Sequence, residues 1–433
     1  MSAAAATGPG RRSRRVLFVV HKTYPLAEPR VRRLAEAAAM AGWRVDVVAL
    51  RAPGEARLAW LGGVRVLRPR RQVVRAFTLL ALLREYGAFW VAVLVHCVKA
   101  SRYDVVYVAN PPDFLVFAAA PQRWRGSRVV LDVHDLMTDL FALRSGFADT
   151  SVAARVLRRL ERASLRYADT LMTVHDPYAR ELAQRTGRTD AVAVVMNSPD
   201  PRFFARDEAA HAGPPVFLFH GSIFARSGVL DLVEAFALAR AEIPEAQLWI
   251  VGDGDARSQV TDAVQRLQIG DATWLSTGMV PLEEVGRLVA RATFGVAPSH
   301  SNVHNDKALS GKLLEYVALG VPAICADLPT RKQHFSDDEV LYFAPGSVEE
   351  LSSKMVWAWR HPDEMQARAA KALRHYEQAY SWQAQLKTFL NVLGDHDGER
   401  TATEAGEHAA AQAGEQTVAQ AGEQTVAEPG EMH

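Results

Sequence analysis

The 433-residue chain is 49% hydrophobic, too long for one average domain and apolar enough to bury two substantial cores. Its 50 Lys and Arg residues nearly balance 49 Asp and Glu, for a net charge of +1, which gives no global attraction for nucleic acid; any basic surface must be local. The two cysteines, Cys97 and Cys325, each lie inside an apolar stretch, which suits buried thiols in a reducing, cytoplasmic compartment better than a disulfide framework.

Residues 1–14 are small residues followed by a basic cluster, and a disordered arm is expected there. The apolar run after it, Val16–Val20, is far shorter than the core of a secretory signal. The longest apolar stretch, Ala88–Val98, is about half of what a bilayer-spanning helix needs, so no membrane span is expected. From Val16 onward β-branched runs alternate with longer amphipathic stretches. They are VLFVV at 16–20, a helix over Arg30–Ala41, VDVVAL at 45–50, DVVYVA at 104–109, RVVLDV at 128–133, a helix over Val152–Tyr167, TLMTV at 170–174 and AVAVVM at 191–196. Continuous apolar strands separated by helices signify a parallel sheet covered on both faces.

The polar stretch Asp200–Pro215 breaks this rhythm and is the candidate hinge. The pattern restarts with VFLFHG at 216–221, a helix over Gly228–Arg240, LWIVGDG at 248–254, FGVAP at 294–298, a helix from Gly311 and PAICA at 322–326. Glu349 to about Leu393 reads as consecutive helices, with Pro362 in a first turn and Trp382 as an aromatic anchor. The expected fold class is α/β, with two doubly wound domains over residues 15–205 and 206–394, the last helices packing back on the first domain. Residues 395–433 carry a direct repeat, AQAGEQTV at 411–418 and 419–426. With almost no large apolar residues, this tail cannot offset its chain entropy and is expected to be disordered.

Ligands of open parallel sheets sit outside the carboxyl ends of the strands, so candidate chemistry is sought there. Gly221 ends a strand and is followed by SIFARSG and a helix; such a turn lets backbone amides approach an anion, with Arg226 as a charged fork. A purely structural turn with a solvated arginine would look the same. In NDKALSGKLLEYVALGVPAI, residues 305–324, Lys312 and Glu315 lie three apart near a helix start and share one face. A diphosphate wants such a cation and the helix dipole, and a ribose diol wants an acceptor such as Glu315; the plain alternative is a surface ion pair. His134 and Asp135 follow RVVLDV directly, and Gly252 and Asp253 follow LWIV. Each is either a ligand contact or an ordinary turn residue. No spacing of His, Cys, Asp or Glu reads as a metal site, so metal independence is expected.

Arg68–Arg75, RPRRQVVR, precedes the apolar FTLLALL and FWVAVLV. Basic plus apolar residues over 68–98 fit either a peripheral contact with an anionic membrane or a buried helix pair with basic ends.

Together these motifs resemble glycosyltransferase family 4, over about residues 14 to 394. GSIFARSGVLDLVEAF is similar to the donor-phosphate loop, LWIVGDGDAR and TWLSTGMVPLEEVGRLVARATFGVAPS to nucleotide-side motifs, and GKLLEYVALGVPAI to the ribose and phosphate helix. VYVANPPDFLVFAAA and VVLDVHDLMTDLF resemble a bacterial subgroup that builds surface polysaccharides. The resemblance implies the GT-B fold, two Rossmann-like domains facing across a cleft. It implies a retaining, hexosyltransferase-type enzyme that moves a sugar from a nucleotide sugar to a glycan or polyprenyl-linked acceptor. The nucleotide sugar is a co-substrate and no cofactor is implied.

The same resemblance makes Arg226 and Lys312 diphosphate contacts, Glu315 a ribose contact and Gly221 the close-approach turn. Ser222, Gly252, Asp253, Lys307 and Leu313 join them on the donor side, Arg30 and Asp135 fall on the acceptor side, and His134 meets the transferred sugar or acceptor. Two positions depart from the family pattern. Ser222 stands where many members have an arginine, and Lys307 where many have the first of two glutamates. Front-face attack, with the departing phosphate accepting the acceptor's proton, is the implied mechanism. Two rival readings are a nucleotide-sugar epimerase and a catalytically silent binding scaffold.

Overall fold

The computed structural model describes residues 13–25, 27–72, 79–137, 152–188, 192–205 and 213–394. The arm up to residue 12 and the tail from residue 395, both expected to be disordered, lie outside them. Backbone contacts divide the chain into two units, the first running to Val195 and resuming at Leu386, the second spanning Met196–Gln385.

The first unit holds β1 (Arg15–Thr23), β2 (Arg44–Arg51), β3 (Leu58–Leu61), β4 (Val64–Arg71), β5 (Val105–Ala109), β6 (Arg128–Val133), β7 (Thr170–Thr173) and β8 (Val192–Val194). They form one sheet in the order β3-β4-β2-β1-β5-β6-β7-β8. All neighbours are parallel except the β3–β4 hairpin. Leu17, Val19, Val106, Val108, Leu131 and Leu171 pack against Phe89, Val93, Cys97 and Leu165 from the covering helices. Phe89, Val93 and Cys97 recur at helical spacing along the Leu79–Lys99 helix, and each large apolar side chain so buried is worth about 1.5–3 kcal/mol. The strand order reverses at β1, between β2 and β5, which places the crevice of this unit at the carboxyl ends of β1 and β5.

The hairpin is an element that the periodicity did not announce. Leu61 pairs directly with Val64, and the two loop residues, Gly62 and Gly63, both have positive φ (53° and 78°), the requirement of the tight turn that matches strand twist. The basic run beginning at Arg68 consequently ends a strand and not a helix. Arg68 is buried, donates to the Tyr24 carbonyl at 2.9 Å and lies 3.2 Å from Glu55; residues 73–78 are outside the described residues.

The second unit holds β9 (Val216–His220), β10 (Gln247–Val251), β11 (Thr273–Leu275), β12 (Phe294–Ala297), β13 (Ala323–Ala326) and β14 (Leu341–Phe343). They form an all-parallel sheet in the order β11-β10-β9-β12-β13-β14. Its core joins Phe217, Phe219, Leu248, Ile250 and Val296 with Leu232, Phe236 and Met355 from the helices. Here the order reverses at β9, between β10 and β12.

Three helical segments follow, Val348–Arg360, Pro362–His375 and Trp382–Leu393, with a π-turn at Tyr376–Tyr380. Pro362 sits in a first turn. The last helix carries the chain back to the first unit, where buried Phe389 packs edge-on against Tyr107, Arg128 donates to the Val392 carbonyl and Arg14 donates to the Gly394 carbonyl at 2.9 Å. Among the described residues no helix is long and apolar enough to cross a membrane.

Candidate active site

The second unit gathers its candidates at the switch point. Gly221 follows β9 with φ 107°, and a Cβ there would stand 3.2 Å from Lys312 Nζ. Gly252, after β10, comes so close that a Cβ would strike the Gly221 carbonyl oxygen at 2.0 Å. The two turns are therefore stacked backbone on backbone, which only residues lacking a side chain permit. The Ser276 hydroxyl accepts the Gly252 amide at 2.9 Å.

The Gly311–Ala318 helix starts in the same place. Its N-cap residue, Ser310, makes no side-chain cap bond, so its first-turn amides remain donors for an anion. Lys312, half-buried, lies over the Phe219 ring at 4.9 Å. Burial pulls its ammonium down to about 8, against the pull of Glu315, with Arg331 and Arg226 adding to the depression. Arg226 is exposed and lies over Phe224 at 4.5 Å. Neither Arg226 nor Lys312 has an acidic partner within ion-pair distance among the described residues.

Glu315, one turn along the helix, faces His220 Nε2 at 3.2 Å. Burial, reinforced by Lys312, lowers His220 to about 3, so a neutral imidazole stands beside the carboxylate. It also stands edge-on to Tyr316 at 5.2 Å. Leu313 is fully buried, so it can meet a ligand through its backbone amide and not its side chain. Ser222 and Asp253 are exposed at the rim, and the Asp253 carbonyl accepts the Ile223 amide at 2.9 Å. Lys307 is half-buried in the turn before the helix, where its amide donates to His304 at 3.2 Å.

In the first unit His134 follows β6 with its ring between two carboxylates. Nε2 is 2.6 Å from Asp132 Oδ2 and Nδ1 is 3.6 Å from Glu28 Oε1. Asp132 is wholly buried. Burial alone would raise it, but the Arg30 guanidinium and His134 hold it well below the usual carboxylate range. Tyr107 also donates to it. Lys22 Nζ holds Glu28 at 2.6 Å.

Asn110, buried after β5, fastens the turn that carries His134. Its Oδ1 accepts the His134 amide at 2.6 Å, and its Nδ2 donates to the Asp135 carbonyl at 2.6 Å and to Asp113 at 2.8 Å. Asp135 itself is half-buried on that turn.

Arg30, expected on the acceptor side, is placed otherwise. Its buried guanidinium grips both Asp132 oxygens, at 2.8 and 3.0 Å, and donates to the Val195 carbonyl at 2.7 Å. Through Asp132 it is linked to His134. Sequence reasoning missed Asp132, Glu28, Asn110, His220 and Arg331; of these Asp132, Asn110 and His220, each at or just after a strand end, carried a local signal. Among the described residues no group of His, Cys, Asp or Glu could hold a metal ion.

Two doubly wound units in one chain, the second with a helix terminus and cations open to an anion, define the GT-B class. A family model described as the glycosyl transferase 4-like domain matches residues 27–198, and one described as glycosyl transferases group 1 matches residues 214–361. The chain belongs to the GT-B glycosyltransferases of this family. Among curated proteins none matches it by sequence.

Solved structures share the fold at low identity. Sucrose-phosphate synthase from Thermosynechococcus elongatus is 17% identical with a TM-score of 0.66, covering 88% of this chain and 98% of its own. Anabaena Alr3699/HepE in complex with UDP-glucose is 16% identical with a TM-score of 0.67, covering 88% and 99%. WaaG, a glycosyltransferase involved in lipopolysaccharide biosynthesis, is 18% identical with a TM-score of 0.65, covering 87% and 99%.

Proposed function

We propose that this glycosyltransferase transfers a sugar, with retention of anomeric configuration, from a nucleotide sugar to a glycan or polyprenyl-linked glycan in bacterial surface-polysaccharide synthesis. The observation that carries the donor reading is the meeting of Gly221, Lys312 and the uncapped Gly311–Ala318 helix start. Backbone amides, an ammonium and the Arg226 guanidinium together offer a diphosphate the positive charge that it needs as it departs. Glu315, 3.2 Å from His220 Nε2, suits a ribose diol. A structural relative crystallised with UDP-glucose and another involved in lipopolysaccharide biosynthesis support the reading.

In this mechanism the bond from the anomeric carbon to the phosphate oxygen breaks while the acceptor oxygen attacks from the same face, and the leaving phosphate takes the acceptor's proton. No side-chain base is required and no divalent ion is needed. His134, held through Nε2 by Asp132, serves as a positioned polar contact for the transferred sugar or acceptor. A panel of UDP-, GDP- and ADP-sugars in thermal-shift assays tests the donor site, because a ligand of the folded state raises the melting temperature according to its affinity. One nucleotide class is expected to stabilise the protein in EDTA as well as in magnesium. Absence of a shift from all three, or a strict need for metal, overturns the proposal.

A further inference from the structure

Between β12 and the Gly311–Ala318 helix the chain reads PSHSNVHNDKALS, residues 298–310. Asparagine and serine at such density favour turns closed by their own side chains. Asn302 makes one here, its Oδ1 accepting the amides of His304 at 3.0 Å and of Asn305 at 2.9 Å. With its backbone so fixed, Asn305 donates through Nδ2 to the His300 carbonyl at 2.8 Å and to the Arg226 carbonyl at 3.2 Å. The His300 amide donates to the same Arg226 carbonyl at 3.1 Å.

Two further ties flank this one. Gly228, at φ 70°, lies so close to Pro298 that a Cβ would strike the Pro298 carbonyl oxygen at 1.9 Å, an approach open only to a residue without a side chain. His300 Nε2 lies 2.6 Å from Oδ2 of Asp231, in the first turn of the Val229–Ala239 helix. The short turn Ala225–Ser227 and the helix start after it are thus held by the β12 loop at Arg226, at Gly228 and at Asp231. None of the three ties uses the Arg226 guanidinium, which is exposed over Phe224.

We infer that Asn305 and the His300–Asp231 pair are positioning residues, which set the place at which the Arg226 guanidinium meets the donor diphosphate. The inference rests on the reading of Arg226 as a donor contact. An arginine on an untethered turn gives up part of its attraction for an anion to ordering that turn on binding; a turn fixed beforehand avoids this cost. Ties that served stability alone would show in unfolding and not in ligand affinity.

Titration calorimetry of the full-length protein with UDP, GDP and ADP, each of which carries the diphosphate without the sugar, tests the inference. Arg226→Ala should weaken binding of the tightest of the three at least about tenfold, the loss of a charge-assisted hydrogen bond. Asn305→Ala should weaken it about fivefold, the scale of one neutral hydrogen bond. Arg226→Ala keeps the backbone carbonyl and therefore the ties, which separates the two effects. Added to Arg226→Ala, Asn305→Ala should weaken binding less than about twofold further, because no guanidinium remains to be positioned. The melting temperature should fall by the same amount in both backgrounds. Asp231→Ala should weaken binding as Asn305→Ala does, and Asp231→Asn, which keeps an acceptor for His300, should restore it. No binding of any of the three nucleotides to the unaltered protein, or unchanged affinity in Arg226→Ala, overturns the donor reading of Arg226 and this inference with it. Normal binding by Asn305→Ala, or an Asn305→Ala loss equally large in both backgrounds, overturns the positioning role alone. Asp231→Asn no better than Asp231→Ala overturns the part given to the His300–Asp231 pair.

Discussion

Around His134 the first unit matches its charges against one another. Arg30 grips Asp132, Lys22 holds Glu28, and the imidazole lies between the two carboxylates. Around Gly221 the second unit does the opposite. Arg226 and Lys312 rest on aromatic faces with no acidic partner within ion-pair distance among the described residues. A matched cluster keeps its geometry in the absence of ligand, since each charge is already stabilised by a neighbour. An unmatched one is open to counter-charge; at Lys312, burial, opposed by Glu315, holds the ammonium below its ordinary range. The contrast separates a region whose charges are paired from one whose cations lack an acidic partner within ion-pair distance among the described residues, as the proposed donor site requires.

The largest effect is expected where the matching is broken. Arg30→Met leaves Asp132 buried without its guanidinium partner, held only by His134 and Tyr107 among the described residues, and should cost about 3–5 kcal/mol of stability in urea unfolding. Arg226→Ala, on an exposed cation, should change stability by no more than about 0.5 kcal/mol. Equal midpoints for wild type and Arg30→Met would erase the distinction drawn above.

Turnover sharpens it next. His134→Ala is expected to lower kcat about a hundredfold, the lower end for one preorganised polar contact, while donor affinity changes little. A contact made mainly at the transition state shows in turnover and not in ground-state binding. A His134→Ala enzyme with normal kcat would remove this imidazole from the reaction.

On the donor side, Lys312→Ala and Glu315→Ala should each weaken nucleotide-sugar binding at least about tenfold, the loss of one charge-assisted hydrogen bond. Calorimetric titration with the nucleotide that stabilises the wild type measures this. Unchanged affinity in both variants would mean that the Lys312–Glu315 face is a surface feature only.

The smallest expected effect is in the pH profile. Lys312 is charged below about 8 and loses its proton above it, so kcat/KM, which reports the free enzyme, should be flat below that pH and decline as pH rises through it. Lys312→Arg should carry the decline to higher pH. A wild-type profile that stays flat above 8 would show that this ammonium is not the cation the donor meets.

The order of strands and helices was legible because burial of a parallel sheet on both faces demands continuous apolar runs, as in β1, β5, β6 and β9. The Leu58–Arg71 hairpin was not, since β3 is half solvated and its arginine-rich partner hides Arg68 only by tertiary contact. Gly221, Lys312 and Glu315 could be read because a glycine turn and an i,i+3 helix pair are local features. The pairing of His220 with Glu315 could not. Nor could the grip of Arg30 on Asp132, where the partners stand 102 residues apart in the chain.

The sequence by itself determined a two-unit α/β chain and the glycine turns at which the proposed donor site lies, because these follow from periodicity and backbone freedom over a few residues. Only the tertiary structure decided which charges meet. It gave Arg30 to Asp132 and, among the described residues, set Arg226 and Lys312 without an acidic partner within ion-pair distance, since the energy of a buried charge depends on what the fold brings beside it and not on its neighbours in the chain.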